Sequence, residues 1–208
     1  MKGLMIKDLY VIKDGLLIPI LILALLGTVL SVLSSPWVLI IVVACSLAMQ
    51  TTMTIPTDKL SQWYKFLVTL PVSRVQFIRS KYVMYAMFGV LGLLLGGAIT
   101  VAVTMIMGDF QMETLLTFAC MAVSMLLLPG SVNIPLAFLL NEEQSIVGIV
   151  ISYVVAAGLF MGITFVLGHF MDMSENTLLT HGIVAGLGIV VYFVSWVFAP
   201  KLVSRGDL

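Results

Sequence analysis

Six stretches of this chain, 16–34, 36–56, 82–107, 115–140, 146–168 and 181–199, contain no Asp, Glu, Lys or Arg. A helix rises 1.5 Å per residue, so about 20 residues cross a hydrocarbon core of roughly 30 Å. One charge at the bilayer centre costs about 2.5 to 3.5 kcal/mol on insertion scales, which makes uncharged runs of this length a strong sign of membrane spans. The composition agrees: 61% of residues are hydrophobic and 10% charged, against a charged share of about 25% in soluble domains. The chain therefore reads as an all-α, polytopic membrane protein with six transmembrane helices in a single domain, 1–208. Ten basic and ten acidic residues cancel, so no overall field points to nucleic acid. Cys45 and Cys120 lie in apolar runs without a C-x-x-C pair, which fits packing better than a disulfide or zinc.

The first fifteen residues carry Lys2, Lys7, Asp8, Lys13 and Asp14, and so lack the short apolar core of a cleavable signal. At helical spacing Leu4, Met5, Leu9, Val11 and Ile12 share one arc, interrupted by Asp8, while Lys2, Lys7, Lys13 and Asp14 fall opposite. This predicts an N-terminal interfacial helix over 1–15. The break Ser34-Ser35-Pro36 predicts a tight hairpin between the first two spans. Every Lys and Arg falls before the first span, between the second and third, or after the sixth. The positive-inside rule then places the protein in the plasma membrane with both termini cytoplasmic. The loop 141–145, with Glu142 and Glu143 and no basic residue, falls inside as well.

Residues 57–81, TDKLSQWYKFLVTLPVSRVQFIRSK, form the one sizeable inward segment. Thr57 or Asp58 can cap a helix start, Leu60, Trp63, Tyr64, Leu67 and Leu70 recur at helical spacing, and Asp58, Gln62, Lys65 and Thr69 fall opposite. Pro71 ends that amphipathic helix, and Ser73 can cap a second one that runs through Arg74, Arg79 and Lys81 into the third span. Anchoring to anionic lipid and docking of a protein both fit such a helix.

The order of an N-terminal amphipathic stretch, a membrane hairpin, and then D-K-L-x-x-W, L-P-V-S-R and S-K-Y resembles the ABC-2 type membrane subunits of bacterial ABC exporters. The matching residues are Asp58, Lys59, Leu60, Trp63, Leu70, Pro71, Val72, Ser73, Arg74, Ser80, Lys81 and Tyr82. The resemblance implies a permease that pairs with a second permease subunit, as a homo- or heterodimer, and sits on two copies of a separate P-loop ATPase. It implies that Asp58 to Leu70, within a coupling segment 57–74, is the cytoplasmic amphipathic coupling helix between helices 2 and 3. Asp58, Lys59, Leu60, Gln62, Trp63, Tyr64, Lys65 and Leu67 would then face the ATPase, with Glu142 and Glu143 beside them. The chain has no G-x-x-x-x-G-K-[ST], so it is expected to bind no cofactor itself and to leave ATP and Mg to its partner. The link 168–180 is barely long enough for the half-helices that dip back into the membrane in this family.

No Asp, Glu, Lys or Arg sits in the six runs, which argues against an ion-coupled pump. The sparse polar groups leave a mostly apolar pathway, suited to a hydrophobic or amphipathic cargo. Similarity to the phenol-soluble modulin exporters points to peptides. Met49, Gln50, Thr51, Met53 and Thr54 in the second span, Asn133 in the fourth and Met161 in the fifth are the candidate substrate path, although hydrogen bonding between helices explains the polar ones equally well. Pro129 and Pro135 predict a kink in the fourth span, with Ser131 and Asn133 at hand to satisfy the freed backbone groups. Gly92 with Gly96, Gly158 with Gly162, and Gly182 with Gly186 have the G-x-x-x-G spacing of close helix contacts. Catalytic and metal sites are not expected, because His169 and His181 lie at the outer boundary and no Asp lies in a span. The competing reading is a non-transporting membrane immunity or sensor protein that binds a toxic peptide.

Overall fold

A computed structural model describes residues 2–15, 29, 35–67, 69, 71–170 and 176–203. The described residues form seven helices and no strand: α1 Lys2–Gly15, α2 Val38–Leu60, α3 Trp63–Leu67, α4 Arg74–Met107, α5 Met112–Leu139, α6 Glu142–Phe170 and α7 Thr177–Val203. Five of them, α2 and α4 to α7, are long and apolar enough to cross a membrane. The predicted first span, 16–34, and its hairpin lie outside the described residues apart from Val29. Each observed span runs past its uncharged run, because helix termini extend beyond the hydrocarbon to where charges are tolerated. Gly168 to Phe170 belong to α6 and Thr177 to Thr180 to α7; 171–175 lie outside the described residues.

Helix α5 touches α2, α4, α6 and α7 and is the centre of the bundle. Half of the α2 span is buried within the chain, against 17% of the α6 span, so α6 presents most of its surface outward. The α2–α4 seam is a close backbone contact. A Cβ on Gly92 would sit 2.6 Å from the Ala44 Cα, and one on Gly96 would sit 3.0 Å from the Ile40 Cα. One turn further the Thr100 hydroxyl donates to the Pro36 carbonyl at 3.4 Å. Small residues replace hydrophobic driving force between helices in lipid by permitting such approach. The other two glycine pairs meet nothing within 4 Å among the described residues.

Both α5 prolines lie inside an unbroken helix. A proline at i cannot bond the carbonyl at i−4, so Pro129 frees the Met125 carbonyl and Pro135 frees that of Ser131. Neighbouring helices supply the donors: Cys45 Sγ of α2 reaches Met125 O at 3.5 Å, and Ser195 Oγ of α7 reaches Ser131 O at 2.6 Å. The expectation that Ser131 and Asn133 do this is corrected. Ser131 Oγ donates to Leu128 O at 2.7 Å, and the buried Asn133 amide has no hydrogen-bond partner among the described residues. Tyr82 extends the seam, its hydroxyl 2.8 Å from Ser195 Oγ while its carbonyl accepts from the Tyr192 hydroxyl at 2.8 Å.

Candidate coupling site

The segment that follows α2 departs from a single helix over 58–70. Asp58, Lys59 and Leu60 finish α2, which continues through Pro56. Ser61 N and Gln62 N close the terminus on the carbonyls of Thr57 and Lys59, and Gln62 adopts φ 53°, the left-handed conformation that ends many helices. Only Trp63–Leu67 forms a helix of its own, and Leu70 lies outside the described residues. The predicted apolar face is therefore split. Leu67 is buried and Trp63 half-buried, whereas Leu60 is 68% exposed and Phe66 55%. The start of α4 follows the sequence pattern. Ser73 Oγ accepts from Gln76 N at 3.2 Å, and Gln76 Oε1 accepts from Ser73 N at 3.3 Å, a reciprocal capping box.

Helix α1 buries Leu4, Asp8 and Ile12, a stripe of residues four apart, and leaves Leu9 and Val11 outside. The predicted arc is thus rotated toward its one interruption, Asp8, because that carboxylate has a partner. Lys81 of α4, with no exposed surface, donates to Asp8 Oδ1 at 2.8 Å, to Asp58 Oδ2 at 2.7 Å and to Thr54 Oγ1 at 2.8 Å. These three acceptors use all three ammonium hydrogens. Lys7 closes the ring, bonding Asp58 Oδ1 and lying 3.2 Å from Asp8 Oδ1. Its ammonium also stands 4.6 Å from the centre of the Trp63 ring, a cation–π contact. Two cations and two anions from three helices thus neutralise each other out of water, which a buried charge requires.

Lys59, next in the chain, reaches the opposite way. Its Nζ donates to the carbonyls of Ala137 at 2.9 Å, Phe138 at 2.9 Å and Leu140 at 2.6 Å. It caps the C-terminus of α5, where unpaired carbonyls and the helix dipole favour a cation. Of the ten expected coupling residues, Asp58, Lys59, Trp63 and Leu67 are thus engaged within the chain. Leu60, Gln62 and Lys65 are exposed. Glu142 and Glu143 open α6, at the same end of the bundle as the Lys59 contact. The sequence pattern missed Lys7, Asp8 and Phe66 as members of this region, and it gave Lys81, a residue of the S-K-Y match, no partner. The signal for the ring was the carboxylate of Asp8 on an otherwise apolar arc.

Among the described residues, the candidate path residues lie in different settings. Gln50, Met53 and Thr54 line a cavity of about 70 Å³ with Val11 and Ile12 of α1. Thr51 is buried in α2, Met49 is half-buried, and Met161 is 68% exposed on α6. Cargo-sized pockets measure roughly 300 to 1,000 Å³, so this cavity is too small to hold a peptide.

An all-helical bundle with five described spans and a charged terminal joint defines a multi-pass membrane protein. The model of the ABC-2 family transporter proteins matches residues 3–204, and the chain belongs to that family. It is a membrane subunit of an ABC transporter, the part of such a system that normally partners an ATPase subunit and is not catalytic itself. No curated protein and no solved structure matches the chain.

Proposed function

We propose that this chain is the permease of an ATP-driven exporter. A separate P-loop ATPase, two copies per pair of permeases, docks on the rim formed by Leu60, Gln62, Lys65 and Phe66 and handles ATP and Mg. The observation that carries the reading is the exposure of two large apolar side chains, Leu60 at the end of α2 and Phe66 beside Lys65 on the short helix α3. An exposed apolar pair rimmed by polar groups is the composition of a docking hot spot. The basic residues at this end favour the cytoplasmic side, in the plasma membrane with both termini inside. Asp58, Lys59, Trp63 and Leu67 support the rim from behind, and Glu142 and Glu143 border it. The cargo is hydrophobic or amphipathic, peptides of the phenol-soluble modulin kind fitting best. In this reading its passage lies between two permease chains, since the cavity that Gln50, Met53 and Thr54 line is about 70 Å³, below the size a peptide needs.

The test is co-purification from the native cells in mild detergent. Wild type should bring down a P-loop ATPase, and Phe66→Glu should lower its recovery by about thirtyfold, the effect of removing a hot spot of roughly 2 kcal/mol. A wild type that captures no ATPase, but does retain an amphipathic peptide, would establish the immunity or sensor reading instead.

A further inference from the structure

The ring of Lys7, Asp8, Asp58 and Lys81 has a position that packing does not require. It joins α1, α2 and α4 one residue before Lys59 ties α2 to α5, and four residues before the left-handed turn at Gln62. Asp8, Asp58 and Lys81 side chains are 5% exposed or less, and Lys7 is 19%. Replacing a complete buried ion network by apolar groups of similar volume is often neutral or stabilising, so such a network is weak evidence of a stability role. Its best-attested use is to fix one arrangement of the elements it joins. Lys7 extends the network to the exposed segment through the Trp63 ring, 4.6 Å away.

We propose that these four charges form a transmission joint. Displacement of the segment 61–67 passes through Trp63 and Lys7 into α1, and through Asp58 and Lys81 into α4, so that the helices move together. Lys7, Asp8, Asp58 and Lys81 are positioning residues, and none of them contacts a partner. The inference rests on the reading that an ATPase docks on this segment. It differs from that reading in assigning Asp58 to the inside of the permease.

The experiment uses the full permease with its co-purified ATPase, reconstituted in lipid vesicles, with Cys45 and Cys120 replaced by Ala. Single reporter cysteines are placed at the exposed positions Ser61, beside the rim, and Tyr10, on α1. Maleimide labelling rates are compared with and without trapping by ATP and vanadate. With the native ring, trapping should change the rate at both positions by about threefold or more, within the range of coupling energies carried by packed networks. In the apolar ring Lys7→Met, Asp8→Leu, Asp58→Leu, Lys81→Met, the change at 61 should persist and the change at 10 should vanish, with the thermal midpoint unchanged or raised. A merely structural ring predicts no such split. Lys7→Gln, at the most exposed ring position, gives the same test if the fourfold variant does not fold, and should reduce the change at 10 alone. The joint is overturned if position 10 responds undiminished in the apolar ring or in Lys7→Gln, or if it never responds in the native one. If no ATPase accompanies even the native permease, the docking reading itself fails, and the joint with it.

Discussion

The middle of the bundle and its basic end face the same problem, polar groups in a low-dielectric interior, and solve it with different chemistry. In the middle, two carbonyls freed by prolines are met by neutral donors, Cys45 and Ser195, and helices close on glycine. At the basic end four full charges and Lys59 bind four helices to one another. A neutral donor satisfies one acceptor and can be lost at modest cost. A charge in a closed ring cannot be lost alone, because its removal strands the opposite charge. The middle is thus built for close contact and the end for fixed geometry.

The largest effect should come from opening the ring at its centre. Lys81→Met leaves Asp8 and Asp58 facing only Lys7 and should cost about 3 to 5 kcal/mol, whereas the fourfold apolar ring should cost almost nothing. Unfolding by SDS titration of both proteins measures the contrast. Equal losses in the two would remove the distinction between the regions. Next comes the glycine seam. Gly92→Ala puts a methyl group 2.6 Å from backbone of α2, which cannot swing aside, and should cost about 1 to 3 kcal/mol. Gly158→Ala meets nothing among the described residues and serves as the control. Ser195→Ala strands the carbonyl freed by Pro135 and also removes a partner of Tyr82. Its cost should be about 1 to 2 kcal/mol by the same titration.

These two regions also differ in how far the sequence announces them. Five of the six predicted spans are present as helices long and apolar enough to cross a membrane, since a helix satisfies its own backbone groups in lipid. Ser73 and Gln76 could be read as a capping box because that motif is local. The prolines at 129 and 135 announce freed carbonyls but not their donors, which lie about 64 and 80 residues away in chain order and meet them only after packing. The charged ring is the least legible part. Periodicity places Lys7 on a polar face, and the helix capped by Ser73 carries Lys81 as one of three basic residues without naming its partner. Their burial depends on Asp8 and Asp58 arriving at the same place, a tertiary event without local signature. The coupling segment failed as one helix because Leu60 and Leu67 share a helical period that the turn at Gln62 interrupts.

That turn carries the smallest expected effect. Gln62 holds φ 53°, a conformation that costs an L-residue with a Cβ about 1 to 2 kcal/mol and glycine very little. The Gln62 side chain returns part of this by accepting from Lys65 Nζ at 3.0 Å, an exposed contact of small worth. Gln62→Gly should therefore raise stability by roughly 0.5 to 1 kcal/mol once the greater entropy of glycine in the unfolded chain is set against it. Gln62→Ala keeps the backbone cost and loses the hydrogen bond, so it should lower stability by a few tenths of a kcal/mol. Thermal midpoints that move in opposite directions for the two variants would assign the cost to the backbone of the turn. Midpoints that fall together would assign it to the Lys65 contact, and the turn would then be held by its side chain.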